Sequence, residues 1–156
     1  MKKTLIFVYG SLKSGYGNNI VLDDSTFIDF HATNSKYTMY DLGAFPAVAL
    51  GGKSSITGEI YSVSDEILNA VDVLEGVDHD FYKRHTISTK EYGDVIMYVI
   101  TDAYMETQET HDVIKDGTWD NPFEELSALE NEQNEIAFAE YNDDEDSYKR
   151  QHRWEY

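Results

Sequence analysis

Two short stretches of this chain carry residue types suited to chemistry, and the first holds a carboxylate in an awkward place. Residues Ser64–Gly76 read SDEILNAVDVLEG. This spacing predicts a helix, with Ser64 as N-cap, Asp65 and Glu66 in the first turn, and Gly76 as the stop. At about 100° per residue, Ala70, Leu74, Ile67, Val71, Glu75 and Leu68 fall in that order around one apolar arc roughly 160° wide. Glu75 therefore lies between Val71 and Leu68, on the face expected to meet the core. It also stands at the helix C-terminus, where the macrodipole disfavours negative charge. Burial and dipole both push a carboxyl pKa upward, which suits it to take and return a proton near neutrality. A frayed last turn with Glu75 reaching water is the alternative that the helix pattern leaves open.

The second stretch is Tyr9-Gly10-Ser11-Leu12, which follows the apolar run Thr4–Val8. A strand that delivers the chain to a glycine turn can present successive backbone N–H groups as an anion-binding nest. Glycine at the turn removes the Cβ that would obstruct a ligand. An ordinary strand-ending turn has the same composition. A P-loop is excluded: Gly10 and Gly15 have the right separation, but Tyr16-Gly17 stands where Lys-Ser/Thr is required.

The elements that must position these residues are readable in outline. Thr4–Tyr9 reads as a buried strand, Gly10–Asn19 as a loop, and Ile20–Asp24 as a short helical turn. Ser25–Ala32, Lys36–Leu42, Ala47–Leu50 and Ile56–Val63 read as strands, the last leading directly into the Glu75 helix. Phe81–Lys90 and Asp94–Thr101 form a hairpin around Glu91-Tyr92-Gly93. Six or seven strands and one principal helix before residue 104 give an α+β fold of mainly antiparallel type, and strands meandering around one helix suggest a small, partly closed β-barrel. Beyond it, Met105–Asn121 reads as loop and Pro122–Tyr141 as a C-terminal helical extension. Asn142–Tyr156 is a charged tail. The expected division is 1–104 barrel domain, 105–141 extension, 142–156 tail.

At 156 residues, 41% hydrophobic and 13% aromatic, the chain can bury one core. It has no cysteine, which removes disulfides, thiolate metal sites and a cysteine nucleophile, and fits a reducing, cytoplasmic compartment. The N-terminal apolar run is too short for a signal peptide and is better read as the first strand. No stretch approaches a membrane span. Net charge is −18, with 16 acidic and 4 basic side chains in residues 105–156. That sign opposes duplex binding. It also motivates a rival reading, a non-catalytic binding or inhibitory protein whose acidic C-terminal region engages a basic partner. His31, His79, His85, His111 and His152 have no metal-ligand spacing.

Taken together, Tyr9-Gly10-Ser11-Leu12-Lys13, Phe45-Pro46-Ala47, Gly58-Glu59-Ile60-Tyr61, Leu74-Glu75-Gly76 and Tyr82-Lys83-Arg84, in that order, form a specific succession. It resembles the gamma-glutamyl cyclotransferase-like family, particularly the short branch that includes gamma-glutamylamine cyclotransferases, over roughly residues 3–101. The resemblance implies a compact barrel with a helix beside it and a pocket at one end. It implies a cradle of Tyr9, Gly10, Ser11 and Leu12, whose backbone N–H groups hold the α-carboxylate of a small-molecule gamma-glutamyl substrate. It makes Glu75 the general acid/base. The reaction implied is lactam closure: the substrate's α-amine attacks its own γ-carbonyl, forming 5-oxoproline and expelling an amine or amino acid. No cofactor or metal is implied.

Among the remaining motif residues, Tyr82 is expected to line the pocket and Phe45-Pro46 to shape its wall. Arg84 is expected in a structural tie rather than on substrate. Glu59, alternating with Ile60, is expected to face solvent. The C-terminal extension is a candidate for capping the pocket, for a protein partner or for homodimerisation.

Overall fold

A computed structural model of the chain describes residues 3–109 and 111–120. Its central strand is β1 (Lys3–Val8), in which Ile6, Phe7 and Val8 are all buried. Alternation explains why the run is apolar throughout. Ile6 and Val8 join one core cluster while Phe7 joins a second, so β1 is covered on both faces. β2 (Thr26–Ala32), β5 (Thr57–Ser64), β6 (Tyr82–Thr89) and β7 (Gly93–Ile100) complete a five-stranded sheet in the order β2-β5-β1-β7-β6. β1 runs antiparallel to β5 and parallel to β7, and β6 and β7 form the expected hairpin.

The ends of the sheet do not close into a barrel. β3 (Tyr37–Asp41) and β4 (Pro46–Leu50) lie outside it and pair with each other, and β3 also pairs with β8 (Asp112–Val113), in a separate sheet of order β4-β3-β8. The physical reason lies in the cores. Tyr37, Met39 and Val48 bury against Phe7, Ile60 and Met97, which holds the small sheet across one face of the large one instead of extending its edge. The principal helix, α1 (Asp65–Leu74), covers the opposite face through Leu68 and Val71, which pack with Ile6, Val8 and Val63. The mixed α+β class is therefore observed, as two open sheets with one main helix.

The segment read as loop after residue 104 is built into this body. Thr101 caps α2 (Asp102–Glu106) by accepting from the Tyr104 N–H at 3.1 Å. β8 pairs Val113 with Tyr40, and Trp119 is buried in the second core. The helix expected over Pro122–Tyr141 and the tail at Asn142–Tyr156 lie outside the described residues. Among the described residues no helix is long and apolar enough to cross a membrane.

Candidate active site

Ser64 caps α1 as expected, its Oγ accepting from the Ile67 N–H at 3.3 Å. The helix ends one residue earlier than the arc suggested, at Leu74, and Glu75 is its C-cap with right-handed backbone (φ −81°, ψ −1°). The Glu75 N–H still bonds to the Val71 carbonyl at 2.9 Å, so the side chain leaves the helix in the direction that the helical pattern predicts. Gly76 then turns left-handed at φ 64°, and a Cβ there would stand 2.5 Å from the Phe81 ring. Phe81 donates its N–H to the Gly76 carbonyl at 3.1 Å, which brings the start of β6 against the end of α1. Glycine is required at this position for its backbone region and for that close approach.

Glu75 opens into a cavity of about 230 Å³. Its lining includes Tyr9, Gly10, Ser11, Leu12 and Tyr82, so every expected site residue meets at one place. Phe45, Pro46 and Leu74 supply apolar wall, as do Phe81 and Tyr104. Burial pushes the Glu75 carboxyl up to about 7. Tyr9 is driven up as well, first by burial and then by the Glu75 charge. Among the described residues the ion pair is Arg84 with Asp72, so Glu75 has no cation to hold it ionised.

The loop after β1 is stiffened from below. Lys13 N–H bonds to the Gly10 carbonyl at 3.0 Å, and Asn18 N–H to the Ser11 carbonyl at 3.0 Å. Asn18 Nδ2 donates to Ser11 Oγ at 2.9 Å and Asn19 Nδ2 to the Leu12 carbonyl at 2.8 Å. These bonds engage carbonyls and side chains. The backbone N–H groups of Ser11 and Leu12 have no acceptor among the described residues, and both residues line the cavity. That is the donor pattern of an anion site. Gly10 is glycine for a reason the sequence did not show: a Cβ there would approach the Pro46 ring to 2.9 Å.

Two expected ligand residues are tied into the protein. The Tyr9 hydroxyl donates to the Tyr98 carbonyl at 2.8 Å and accepts from the Val48 N–H at 3.3 Å. It joins the two sheets beneath the cavity and offers its ring to the lining. Tyr82 donates to the Pro46 carbonyl at 3.3 Å. Arg84 takes the structural tie expected of it, donating through Nε to Asp72 Oδ1 at 3.0 Å, with Tyr98 OH on the same oxygen at 2.5 Å.

Three contributors were missed from sequence. Glu59 is buried at 6% exposure rather than solvent-facing. Its Oε1 accepts from the Ser14 N–H at 2.8 Å and from Tyr61 OH at 2.8 Å, anchoring the far end of the loop. Tyr104 stacks on Phe81 with ring centroids 4.3 Å apart and forms a side of the cavity. The Trp119 carbonyl accepts from Lys13 Nζ at 2.6 Å, tying the loop to the chain beyond β8. The Thr101-Asp102 cap signature could have announced α2 and hence Tyr104. No local signal marks Trp119.

Glu59→Ala tests the anchor. It leaves Tyr61 OH and the Ser14 N–H short of an acceptor, which is expected to destabilise the protein by roughly 2 kcal/mol. Urea unfolding reads the loss as a lower midpoint with an unchanged slope. A midpoint equal to that of the wild type would show that water replaces the carboxylate.

Comparison with known proteins agrees with this geometry. Residues 6–121 match the family model described as gamma-glutamyl cyclotransferase, AIG2-like. A Vibrio cholerae protein named "Putative gamma-glutamylcyclotransferase" is 37% identical over 115 residues, covering 74% of this chain and 94% of its own. The gamma-glutamylcyclotransferase family protein YtfP of Escherichia coli is 33% identical over 115 residues, covering 73% and 94%. The crystal structure of an AIG2-like protein from Mus musculus superposes with a TM-score of 0.61 at 26% identity, over 79% of this chain and 93% of that one. The chain belongs to the gamma-glutamyl cyclotransferase, AIG2-like family.

Proposed function

We propose that the protein is a cyclotransferase that converts a small gamma-glutamyl compound into 5-oxoproline and a free amine or amino acid. The observation that carries the reading is the shared cavity: a carboxyl pushed up to about 7 by burial lines the same space as the N–H groups of Ser11 and Leu12, which have no acceptor among the described residues. The N–H pair receives the substrate α-carboxylate, and Glu75 works on the two nitrogens.

In the reaction, the α-nitrogen forms a bond to the γ-carbon and the bond from that carbon to the leaving nitrogen breaks. The α-ammonium loses two protons in becoming the lactam N–H, and the leaving amine gains two in departing as an ammonium. Glu75 carries protons between them and ends as it began. A carboxyl titrating near 7 is strong enough as a base to accept from the α-amine and acidic enough to donate to the leaving nitrogen. Attack is intramolecular, so folding the substrate over its own γ-carbonyl replaces the need for a protein nucleophile. An apolar wall strengthens the electrostatics of a site that excludes water.

Incubation with a panel of gamma-glutamyl amides and peptides, followed by mass spectrometry, is expected to show 5-oxoproline appearing in step with free amine. Release of glutamate in place of 5-oxoproline would make the protein a hydrolase and overturn the reading.

A further inference from the structure

The cavity also bears on what the gamma-glutamyl group is attached to. Phe81 follows directly from the Glu75-Gly76 turn, being hydrogen-bonded to the Gly76 carbonyl. Its ring and that of Tyr104 form a stacked pair, with Tyr82 next to Tyr104 at 6.1 Å between centroids. This aromatic wall adjoins the carboxyl that serves the leaving nitrogen. Phe81 lines the same cavity as Glu75 and remains 40% exposed, so its ring is only partly covered by the described residues.

Charge points the same way. Among the described lining residues the only formally charged side chain is Glu75, an acid. Arg84 shares a strand face with Tyr82 but is engaged by Asp72. The turn that leads into Phe81 is Asp78-His79-Asp80, with two acids and one histidine. A second carboxylate on the substrate would meet apolar rings and a like charge, with no cation among the described lining residues to receive it.

We propose that the leaving group is an uncharged apolar or aromatic amine, and that an amino acid bearing its own carboxylate is disfavoured. The inference rests on the cyclotransferase reading and narrows its substrate class. The aromatic wall takes the apolar body of the amine, and the α-carboxylate of the glutamyl part is the single anionic group that the site is built to hold.

Two substrates that differ by one carboxylate test this on the wild-type protein: gamma-glutamyl-phenethylamide and gamma-glutamyl-phenylalanine, with gamma-glutamyl-methylamide as the small reference. The phenethylamide is expected to exceed each of the others in kcat/KM by at least about tenfold, the usual discrimination for an apolar group in a fitted pocket. Tyr104→Ala is expected to reduce the ratio of phenethylamide to methylamide. Equal or faster turnover of gamma-glutamyl-phenylalanine overturns the inference and leaves the cyclotransferase reading standing. Absence of 5-oxoproline from all three compounds overturns that reading, and the inference falls with it.

Discussion

Glu75→Gln is expected to lower kcat for 5-oxoproline release by about 10²–10⁴-fold, the range supplied by a positioned acid/base. On the proposed cyclotransferase reading KM should change little, because that reading gives the α-carboxylate to the N–H groups of Ser11 and Leu12 and not to Glu75. The substitution keeps size and shape and removes the ability to gain and lose a proton near neutrality. On the same reading, the attacking amine of the substrate requires Glu75 as carboxylate in the wild type. Activity as kcat/KM is therefore expected to be low in acid, to rise with pH, and to level off above about 7, where Glu75 titrates. An acid limb near the ordinary glutamate value, or an active Glu75→Gln, would assign the proton transfers to another group.

The same substitution is expected to change stability in the opposite direction. Burial lifts the Glu75 carboxyl from 4.5 to about 7, so the folded protein holds this proton more tightly than the unfolded chain does. Between those values the unfolded state releases the proton first, and stability falls as pH rises. Below 4.5 both states are protonated and the penalty is absent; above about 7 it is complete. Relative to Glu75→Gln, the wild type should lose on the order of 2–3 kcal/mol of unfolding free energy between pH 5 and pH 8, from the shift at 1.36 kcal/mol per unit with an allowance for partial solvent access. Urea titrations of both proteins at the two pH values measure the difference. A gap that does not vary with pH would show that Glu75 is solvated in the folded state. Loss of activity together with gain of alkaline stability is the signature of a charge kept for function at the expense of the fold.

Much of the frame was legible because its signals are local. The Ser64 cap, the acids behind it and the Gly76 stop define α1 through hydrogen bonds and backbone preferences that span a few residues. The alternation in β5 and the continuous apolar run of β1 likewise identify strands. The ordered motifs, from Tyr9-Gly10-Ser11-Leu12 to Leu74-Glu75-Gly76, led to residues that the fold does bring into one cavity. Glu59 shows where such reading stops. Alternation correctly separates it from Ile60, and it shares a face with Tyr61 and Val63. Period alone, however, does not say that both faces of a central strand are covered. An interior carboxylate needs donors, and these come from Ser14 and Tyr61, one of them 45 residues away in sequence. The expected barrel fails for a related reason. Strand patterns specify which residues face inward, whereas closure depends on which edges pair, and β3 and β4 pair with each other while Tyr37, Met39 and Val48 pack in the core they share with the large sheet.

By itself, then, the sequence determined the helix, the strands and the glycine turn, since each depends on neighbours within a turn or a hairpin, and it placed Glu75 at the end of the helix's apolar arc. Only the tertiary structure decided that Glu75 has no counter-charge among the described residues and is pushed up to about 7 by burial, in a cavity lined by side chains from β1, β4, β6 and α2 together. It also decided that Tyr9 and Glu59 brace the site and that Phe81 and Tyr104 wall it. Those roles arise from contacts between separate segments, and of these residues only Tyr104 has a local signal, the Thr101 cap that announces α2.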